Sequence, residues 1–418
     1  MRKGTLVLLA VAAAFMGSVL STDVQGQRGQ QVQLPDGPGK DQVAKTCTMC
    51  HGLNMITNSY GFTREEWPTL FGSMVALPKD QADAIADYLA TNFPEKPGTP
   101  KAVVIPGPVQ VTFKEWMAPT LGSRPHDPLA ARDGSIWWTE QFRSHLGRVD
   151  PKTGAMKEFA LDTPRSGPHG LVEDKDGNIW YTGINVHEMG KLDPKTGVVT
   201  EYKVPEPGKN PHTPIFDQKG MLFFTMQSGH VGRLNPATGE IKVAKTPSDN
   251  TYPYGIQVNS KGVPWYVDFR GNRVGSVDPV TLEIKEYTLP APDARPRRIA
   301  LTPDDVVWYA DYARGYLGRF DPKTSQVKEW LSPSGKESKP YGIVTIGNIV
   351  WYSESGVKPN TLVRFDPKTE KFQTWIIPSA GHVVRNMMTT RDGNIVMAES
   401  GINKVALAEI RNPSAGTR

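Results

Sequence analysis

Residues 168–202, PHGLVEDKDGNIWYTGINVHEMGKLDPKTGVVTEY, form a unit whose parts recur six more times in this chain of 418 residues. The steps between equivalent positions are 43, 43, 42, 43, 44 and 44 residues. Seven strand-rich copies at a period near 43 predict a mainly β fold, a seven-bladed β-propeller with four strands per blade. The residues that open the copies are His126, His169, His212, Tyr254, Arg297, Tyr341 and Arg385.

Each copy contains the turns that four short antiparallel strands need. An Asp-Gly pair at 176–177 joins the first two strands, since Asp-Gly supplies the positive φ of a tight hairpin. DPKTG at 193–197 joins the last two, with Pro and Gly at turn positions. A column of aromatic residues in the second strand predicts packing between blades. It contains Trp137, Trp180, Trp265, Trp308 and Trp351.

The last copy lacks a fourth strand. Residues 404–410 correspond to a third strand, and no fourth-strand pattern follows. Residues 109–116 end in Lys-Glu-Trp, like the fourth strands of other copies, and Trp116 precedes Phe159 by one period of 43 residues. We therefore predict that this N-terminal strand completes the last blade, which removes the exposed edges of an open ring.

The N-terminus predicts export to the periplasm or outside the cell. Residues 1–26 have the charged start and short apolar run of a signal peptide, followed by a flexible leader at 27–40. The run is too short for a membrane span, so no integral membrane segment is expected after signal removal. The net charge of +5, without basic runs interleaved with aromatics, argues against a nucleic-acid partner.

The only two cysteines lie in the pattern Cys47-Thr-Met-Cys50-His51. In an exported chain they could form a disulfide, but C-x-x-C-H is the pattern of covalent haem attachment, in which both thiols bond the porphyrin and the histidine ligates iron. A thioredoxin-like motif would require a βαβ context, which the surrounding sequence lacks. We predict one haem c, bound through Cys47, Cys50 and His51.

The flanking segment, 41–95, is predicted to be a small all-α domain. Residues 63–67 begin like a capped helix, and residues 80–92 form an amphipathic one. The segment resembles small c-type cytochrome domains, with Trp67, a Met one turn later and a closing YLA helix. That resemblance implies Met74 as the second axial ligand and electron transfer; Met55 and an open site are the alternatives. A Pro-rich linker at 96–103 precedes the propeller at 104–418.

One face of the propeller is predicted to carry function. It holds the starts of the first strands and the irregular loops between second and third strands. His126, His169 and His212 lie at these starts, with substrate-binding candidates Tyr254, Arg297, Tyr341 and Arg385 in the other blades. Acidic residues such as Glu140 and Glu399 end the second strands. A second histidine register, His145, His187 and His230, is expected to converge on the same face.

Three interpretations of the histidines remain open. The residues are simply inherited with the repeat, each hydrogen-bonded locally. They hold a second metal ion together with a carboxylate such as Glu140. Alternatively, His126, His169 and His212, with Glu140 and Glu399, are catalytic acid/base and substrate-binding groups at the channel mouth.

The repeat, with P-H-G-L, D-G-N-I-W-Y-T, the L-D-P-K-T-G turn and E-Y, resembles the streptogramin (virginiamycin B) lyase family of seven-bladed propellers. The resemblance covers the chain from residue 104 onward and implies the fold more strongly than the reaction. Those lyases open a macrocyclic ester by elimination, with Mg²⁺ and a histidine base. The positions that match the family's key histidines are Tyr341 and Arg385, and Glu399 matches its glutamate.

The sequence thus supports three hypotheses. The first is an exported single-haem cytochrome whose propeller binds a small substrate or redox partner protein; as an enzyme it would be a haem-dependent oxidoreductase rather than a lyase. The second is a C–O lyase with a passenger haem domain. The third is a non-catalytic ring that positions the cytochrome near a redox complex.

Overall fold

A computed structural model describes residues 33–49, 53–380 and 382–411. The predicted signal peptide and the first part of the leader therefore lie outside the described residues. In the part of the chain described, no helix is long and apolar enough to cross a membrane. The structure consists of four short helices followed by 28 strands and two 3-10 turns. The helices are α1 (Lys40–Cys47), α2 (Leu53–Thr57), α3 (Glu66–Gly72) and α4 (Lys79–Asn92).

The helical unit, α1 to α4, forms around its own apolar core. Reciprocal hydrogen bonds define the start of α3: Thr63 N donates to Glu66 Oε2 at 2.7 Å, and Glu66 N donates to Thr63 Oγ1 at 3.3 Å. This is the capping box that the sequence predicts. Trp67 and the buried face of α4 fill the core, to which Leu34 of the predicted leader also contributes.

The strands of the described residues form seven antiparallel four-stranded sheets, which confirms the predicted propeller. In blade 2 the first strand is buried at five of its six residues, and every residue of the fourth strand is half-buried or exposed. The rings of first-strand residues from neighbouring blades contact one another, so the first strands lie innermost, at the axis. Blade 1 contains β2 (Pro125–Ala130), β3 (Ile136–Glu140), β4 (His145–Val149) and β5 (Met156–Ala160). Blade 2 contains β6 (Pro168–Glu173), β7 (Ile179–Gly183), β8 (Glu188–Leu192) and β9 (Val199–Lys203).

Blades 3 to 6 repeat this order. Blade 3 contains β10 (Pro211–Phe216), β11 (Leu222–Met226), β12 (His230–Leu234) and β13 (Ile241–Lys245). Blade 4 contains β14 (Pro253–Val258), β15 (Pro264–Asp268), β16 (Arg273–Val277) and β17 (Ile284–Thr288). Blade 5 contains β18 (Pro296–Leu301), β19 (Val307–Asp311), β20 (Tyr316–Phe320) and β21 (Val327–Leu331). Blade 6 contains β22 (Pro340–Ile346), β23 (Ile349–Glu354), β24 (Thr361–Asp366) and β25 (Lys371–Ile376), preceded by a 3-10 turn at Lys336–Ser338.

Blade 7 is closed by the N-terminal strand, as predicted. It contains β26 (Val384–Thr389), β27 (Ile395–Glu399), the 3-10 turn Ser400–Ile402, β28 (Lys404–Arg411) and β1 (Gln110–Met117). The antiparallel pairing of β1 with β28 extends over eight residues, from Gln110 opposite Arg411 to Met117 opposite Lys404. The first and last parts of the propeller are thus held by one continuous ladder of backbone hydrogen bonds.

The predicted aromatic column is buried between strands and blades. Trp308 is 2% exposed, stacks on Trp330 of its own blade at 5.6 Å between centroids, and contacts Phe365 of the next blade at 5.9 Å. A second column of aromatic rings in the second strands, which includes Trp138, packs against glycines of the third strands. A Cβ on Gly147 would lie 2.0 Å from Trp138, so only glycine fits at this position. Large rings opposite glycines therefore fix the spacing within each blade.

Candidate functional site at the propeller axis

The first strands of the seven blades bring one residue each to the axis. The rings of His126, His169 and His212 follow one another with centroids 3.8 Å apart, and Tyr254 continues the series 3.8 Å from His212. The predicted convergence of this histidine register is therefore confirmed. We name the seven residues the axial ring: His126, His169, His212, Tyr254, Arg297, Tyr341 and Arg385. The face on which they lie, which also holds the loops between second and third strands, is the ring face.

Phenols and a guanidinium complete the other half of the ring. The hydroxyls of Tyr254 and Tyr341 are hydrogen-bonded at 2.6 Å, and Arg297 Nη2 donates to Tyr254 Oη at 3.2 Å. The Arg297 guanidinium lies 3.9 Å from the Tyr341 ring centroid, and Phe269 and Tyr312 flank it at 4.5 and 4.4 Å. This cation is thus held by aromatic faces and one phenol.

A second layer of polar residues closes the channel directly beneath the ring. Arg298 Nη2 donates to Asp127 Oδ1 at 2.7 Å, and Arg298 Nη1 donates to Thr213 Oγ1 at 3.1 Å. Asn386 Nδ2 donates to Asp127 Oδ2 at 2.9 Å. We call Asp127, Thr213, Arg298 and Asn386 the polar floor. A cavity of about 70 Å³ is lined by the floor and by apolar residues of the inner strands. The axial ring does not line this cavity.

Sequence analysis missed the polar floor, although a signal for it exists. One position after the ring residue, three blades have glycine, Gly170, Gly255 and Gly342, where a Cβ would meet a neighbouring strand within 3 Å. The other four blades have the floor residues at this position. A register that alternates between glycine and polar residues indicates a crowded axis with specific polar contacts.

The three imidazoles are buried and neutral at physiological pH. Burial lowers the pKa of His126, His169 and His212 well below its usual value, and the surrounding arginines and imidazoles lower it further. His169 Nδ1 and His212 Nε2 have no hydrogen-bond partner among the described residues. Since buried polar atoms in proteins are nearly always paired, these two atoms are available to hydrogen-bond a ligand group.

Three arginines cover the ring. Arg124, which precedes the first strand of blade 1, stacks on Phe142 at 4.5 Å. Burial lowers the pKa of Arg124 to about 10, and the neighbouring charge of Arg385 adds to this effect. Arg124, Arg297 and Arg385 are half-buried, whereas the imidazoles beneath them are 0–3% exposed. The arginines therefore form the solvent-accessible side of the site.

The structure offers one possible metal-ligand set among the described residues. His126, Asp127 and His169 present ligand atoms within 4.8 Å of one another. Its carboxylate is Asp127, whereas the sequence suggested Glu140. Asp127 already accepts hydrogen bonds from Arg298 and Asn386, so its charge is largely compensated. This set therefore has fewer free electron pairs and a more positive environment than a divalent cation prefers.

The predicted catalytic acids are buried within the blades, one strand away from the axis. Glu140 Oε1 accepts a hydrogen bond from Trp138 Nε1 at 2.9 Å, and burial together with Glu158 raises the pKa of Glu140 to about 8. Burial and Glu115 raise the pKa of Glu399 well above its usual value. Among the described hydrogen bonds, none joins Glu140 or Glu399 to the axial ring. Their catalytic role stays a prediction.

The second histidine register does not reach the ring. His145 Nδ1 contacts the carbonyl oxygen of Arg143, and His230 Nδ1 contacts Ser228 Oγ at 3.1 Å. His187 Nδ1 accepts a hydrogen bond from Asn210 N at 3.1 Å. His145 and His230 begin third strands, and His187 lies in the turn just before one, further from the axis. Their contacts are those expected of loop-supporting residues.

The helical unit packs against the ring face. Lys358, in the loop between β23 and β24, donates to the carbonyl of Tyr60 and lies 3.9 Å from the Phe62 ring centroid. Phe62 also contacts His382, just before β26, at 4.9 Å between centroids. Gly122 N, in the segment before β2, donates to Ser73 O at 3.1 Å. Blades 6, 7 and 1 thus carry the helical unit on the same face as the axial ring.

The predicted haem-binding residues are described only in part. Cys47 is a half-buried free thiol at the end of α1, and Met74 is half-buried in the turn after α3. Trp67 Nε1 is buried and has no hydrogen-bond partner among the residues that the structure describes. Cys50 and His51, and the side chain of Met55, lie outside the described residues. The haem and its ligands therefore stay predictions.

Fold and site together define a seven-bladed propeller with a polar axial site on one face. The model of the virginiamycin B lyase family matches residues 107–357, and the chain belongs to that family. The virginiamycin B lyase of Staphylococcus aureus is 21% identical, with a TM-score of 0.65, covering 72% of this chain and 99% of that one. A streptogramin B lyase is 23% identical, with a TM-score of 0.66, covering 72% and 98%.

Other propellers share the fold at lower identity. Hydrazine synthase of Kuenenia stuttgartiensis is 13% identical, with a TM-score of 0.58, covering 70% of this chain and 96% of that one. No protein among the curated sequences matches the chain. At these identities the structural matches establish the fold, and the chemistry must be argued from the site.

Proposed function

We propose that this chain is an exported propeller of the virginiamycin B lyase family that binds a small substrate or partner group at its axial ring. The observation that carries the proposal is the ring itself, with unpartnered buried nitrogen atoms on His169 and His212 above a floor sealed by Arg298 and Asp127. Repeat inheritance alone does not account for these two buried nitrogen atoms without partners. A site sealed below and accessible from one face is typical of a ligand-binding propeller.

Retention of ligands tests this proposal. The purified protein is equilibrated with a small-molecule extract of its producing cells, and retained compounds are identified by mass spectrometry after washing. We expect one or a few compounds to be retained by the native chain and lost in a His169→Ala, His212→Ala double variant. Lys175→Ala, on the opposite face, is the matched control and should retain them. Equal retention by all three proteins would contradict a site at the ring.

Elimination is a second candidate function, and the environment of Tyr341 favours it. Burial raises the pKa of Tyr341, but the guanidiniums of Arg297, Arg385 and Arg298 outweigh burial and lower it below its usual value. A tyrosine with a lowered pKa ionises more readily, and its phenolate could accept a substrate proton as the first step of elimination across a C–O bond. The family's histidine base is absent from this position.

The family reaction gives a direct test of this second candidate. Structures of the S. aureus lyase include a catalytically inactive histidine-to-alanine variant with quinupristin. We expect no ring opening of quinupristin by this chain, measured by chromatography. Opening that is lost in Tyr341→Phe would instead support a lyase with a tyrosine base.

The helical unit is proposed to carry one covalent haem c, which would supply one-electron transfer next to the ring. Three observations fit the group: the half-buried thiol of Cys47, the half-buried thioether of Met74 and the buried Trp67 Nε1 that lacks an acceptor. Cys47 and Cys50 would attach the porphyrin, and His51 and Met74 would ligate iron. The partner would then be a redox protein or the ring ligand.

Expression in cells competent for haem ligation tests this assignment. We expect the intact mass to rise by one haem, and a Cys47→Ala, Cys50→Ala variant to lack it. A Met74→Ala variant should retain the haem but change its visible spectrum. A colourless native product from such cells would refute the haem proposal and leave the ligand-binding proposal standing.

A further inference from the structure

Arg124 and the two arginines of the axial ring, Arg297 and Arg385, have no carboxylate partner among the described residues. We infer that the ligand of the ring carries an oxyanion, a carboxylate or phosphate group, which Arg124, Arg297 and Arg385 bind from the ring face. This inference rests on the proposed ligand-binding function and names the chemical class of the ligand.

The first observation is an imbalance of charge. Among the described residues, no carboxylate forms an ion pair with Arg124, Arg297 or Arg385. Seven arginines elsewhere in the chain are paired with carboxylates, namely Arg64, Arg132, Arg148, Arg273, Arg298, Arg314 and Arg319, whereas others such as the exposed Arg270 are not. Bringing three unpaired guanidiniums together in a partly desolvated site is unfavourable, unless a bound anion balances their charge. Guanidinium groups match carboxylate and phosphate oxygens in a bidentate geometry.

The second observation concerns donors that lack acceptors. Arg297 Nε and Arg385 Nε are buried and have no hydrogen-bond partner in the part of the chain that the structure describes. His212 is fully buried, its Nδ1 lies 2.8 Å from Thr213 Oγ1, and its Nε2 has no partner. Thr213 Oγ1 already accepts from Arg298, so its own proton is free to donate to His212 Nδ1. With the imidazole proton on Nε2, a tautomer that this contact allows, that N–H is a buried donor that a ligand acceptor would satisfy.

The same contacts argue against a cation. The carboxylate nearest the ring, Asp127, is neutralised by Arg298, which is 3% exposed. A metal ion bound to His126, Asp127 and His169 would lie close to this guanidinium and beneath the positive cover of the ring. Its repulsion from these charges would be strong in a site of low dielectric constant. The electrostatics of the ring therefore select an anion.

Isothermal titration of the full-length protein in a zwitterionic buffer at neutral pH tests the inference. The probes are inorganic phosphate, succinate and, as a cation control, Mg²⁺. We expect binding of phosphate or succinate and none of Mg²⁺. Succinate bound more tightly than phosphate would assign a carboxylate ligand, and the reverse order a phosphate ligand.

Substitutions at the ring face provide the matched comparison. Arg385→Gln and Arg124→Gln should weaken anion binding about tenfold or more, since each removes a charge-assisted hydrogen bond. Arg385→Lys should restore part of the affinity. Arg270→Gln is the control, because Arg270 is an exposed arginine of the same face that stacks on Tyr252 at 4.9 Å, outside the ring. It should bind anions within about twofold of the native chain.

Each outcome decides the inference separately from the proposed function. Anion affinity that is absent, or that falls equally in Arg270→Gln, overturns the inference, as does preferential binding of Mg²⁺. If the retention experiment then still yields a neutral compound whose retention requires His169 and His212, the ligand-binding proposal stands, and only the inference that the ligand is an anion is wrong. Circular dichroism and thermal unfolding of every variant exclude loss of folding as the cause.

Discussion

Arg298 reaches across the channel from blade 5 to contact blade 1 and blade 3 within the polar floor. Its partner Asp127 is 2% exposed, so neither charge is solvated by bulk water. Replacing Arg298 by Met keeps most of the side-chain volume and removes the charge. Asp127 would then remain as a buried carboxylate with Asn386 and His126 as its only described neighbours.

Removing one partner of a buried ion pair typically destabilises a protein by about 3–5 kcal/mol, because the other charge stays desolvated. Asn386 and His126 still contact Asp127 in this variant, which places our expectation at the lower end, about 3 kcal/mol. A double variant, Arg298→Met with Asp127→Asn, leaves no unpaired charge. It should be destabilised by about 1 kcal/mol or less relative to the native chain, because a buried pair contributes little net stability.

Urea unfolding, followed by tryptophan fluorescence and circular dichroism, measures the native chain, both single variants and the double variant. The coupling between the two positions, obtained from the double-mutant cycle, should be at least about 2 kcal/mol. If Arg298→Met unfolds like the native chain, or if the two single effects simply add, the ion pair does not hold the floor. The separation of the ring from the channel below would then need another explanation.

Three further predictions concern pH and packing. The free energy of unfolding should decrease as the pH drops below ~6.5, because the imidazoles of the unfolded chain bind protons that the native ring excludes. His169→Gln should reduce this loss of stability by about 1 kcal/mol per pH unit. The native carboxyl of Glu140, with its pKa raised to about 8, retains a proton that the unfolded chain releases, so this residue lowers the stability of the native chain as the pH rises. The gain in unfolding free energy from Glu140→Gln, relative to the native chain, should therefore be about 2 kcal/mol larger at pH 8 than at pH 5. Gly147→Ala should cost about 3 kcal/mol through its clash with Trp138, whereas Gly72→Ala, with open space around its Cβ, should not. Urea unfolding at a series of pH values measures all three. The pH predictions would be contradicted if the two variants had the same dependence of unfolding free energy on pH as the native chain, and the packing prediction if Gly147→Ala and Gly72→Ala had equal effects.

Local patterns in the sequence predicted the fold because each blade is built from short-range rules. The Asp-Gly and DPKTG turns, the aromatic column and the period near 43 each act within one repeat, so they are legible without coordinates. The closing strand was also predictable, since Trp116 lies one period before Phe159. The capping box at Thr63 and Glu66 is a local signal of the same kind.

The site was predicted in part. The ring positions follow from the repeat register, because equivalent residues of a symmetric ring meet at its axis. The arginine cover and the polar floor were missed or incompletely recognised, because their partners lie up to 259 residues apart, as for Asn386 and Asp127. Pairing at such separations depends on the diameter of the closed ring, which no single repeat encodes.

The sequence by itself determined the seven repeats, the closing strand and the residues presented to the axis, because periodicity is a one-dimensional property. Only the tertiary structure decided which of those residues are paired, which remain without partners, and that the helical unit packs on the ring face. The physical reason is that pairing and desolvation depend on distances of a few ångströms between blades remote in sequence. Those distances leave Arg124, Arg297 and Arg385 without a carboxylate partner among the residues described, and they make the axial ring a candidate binding site.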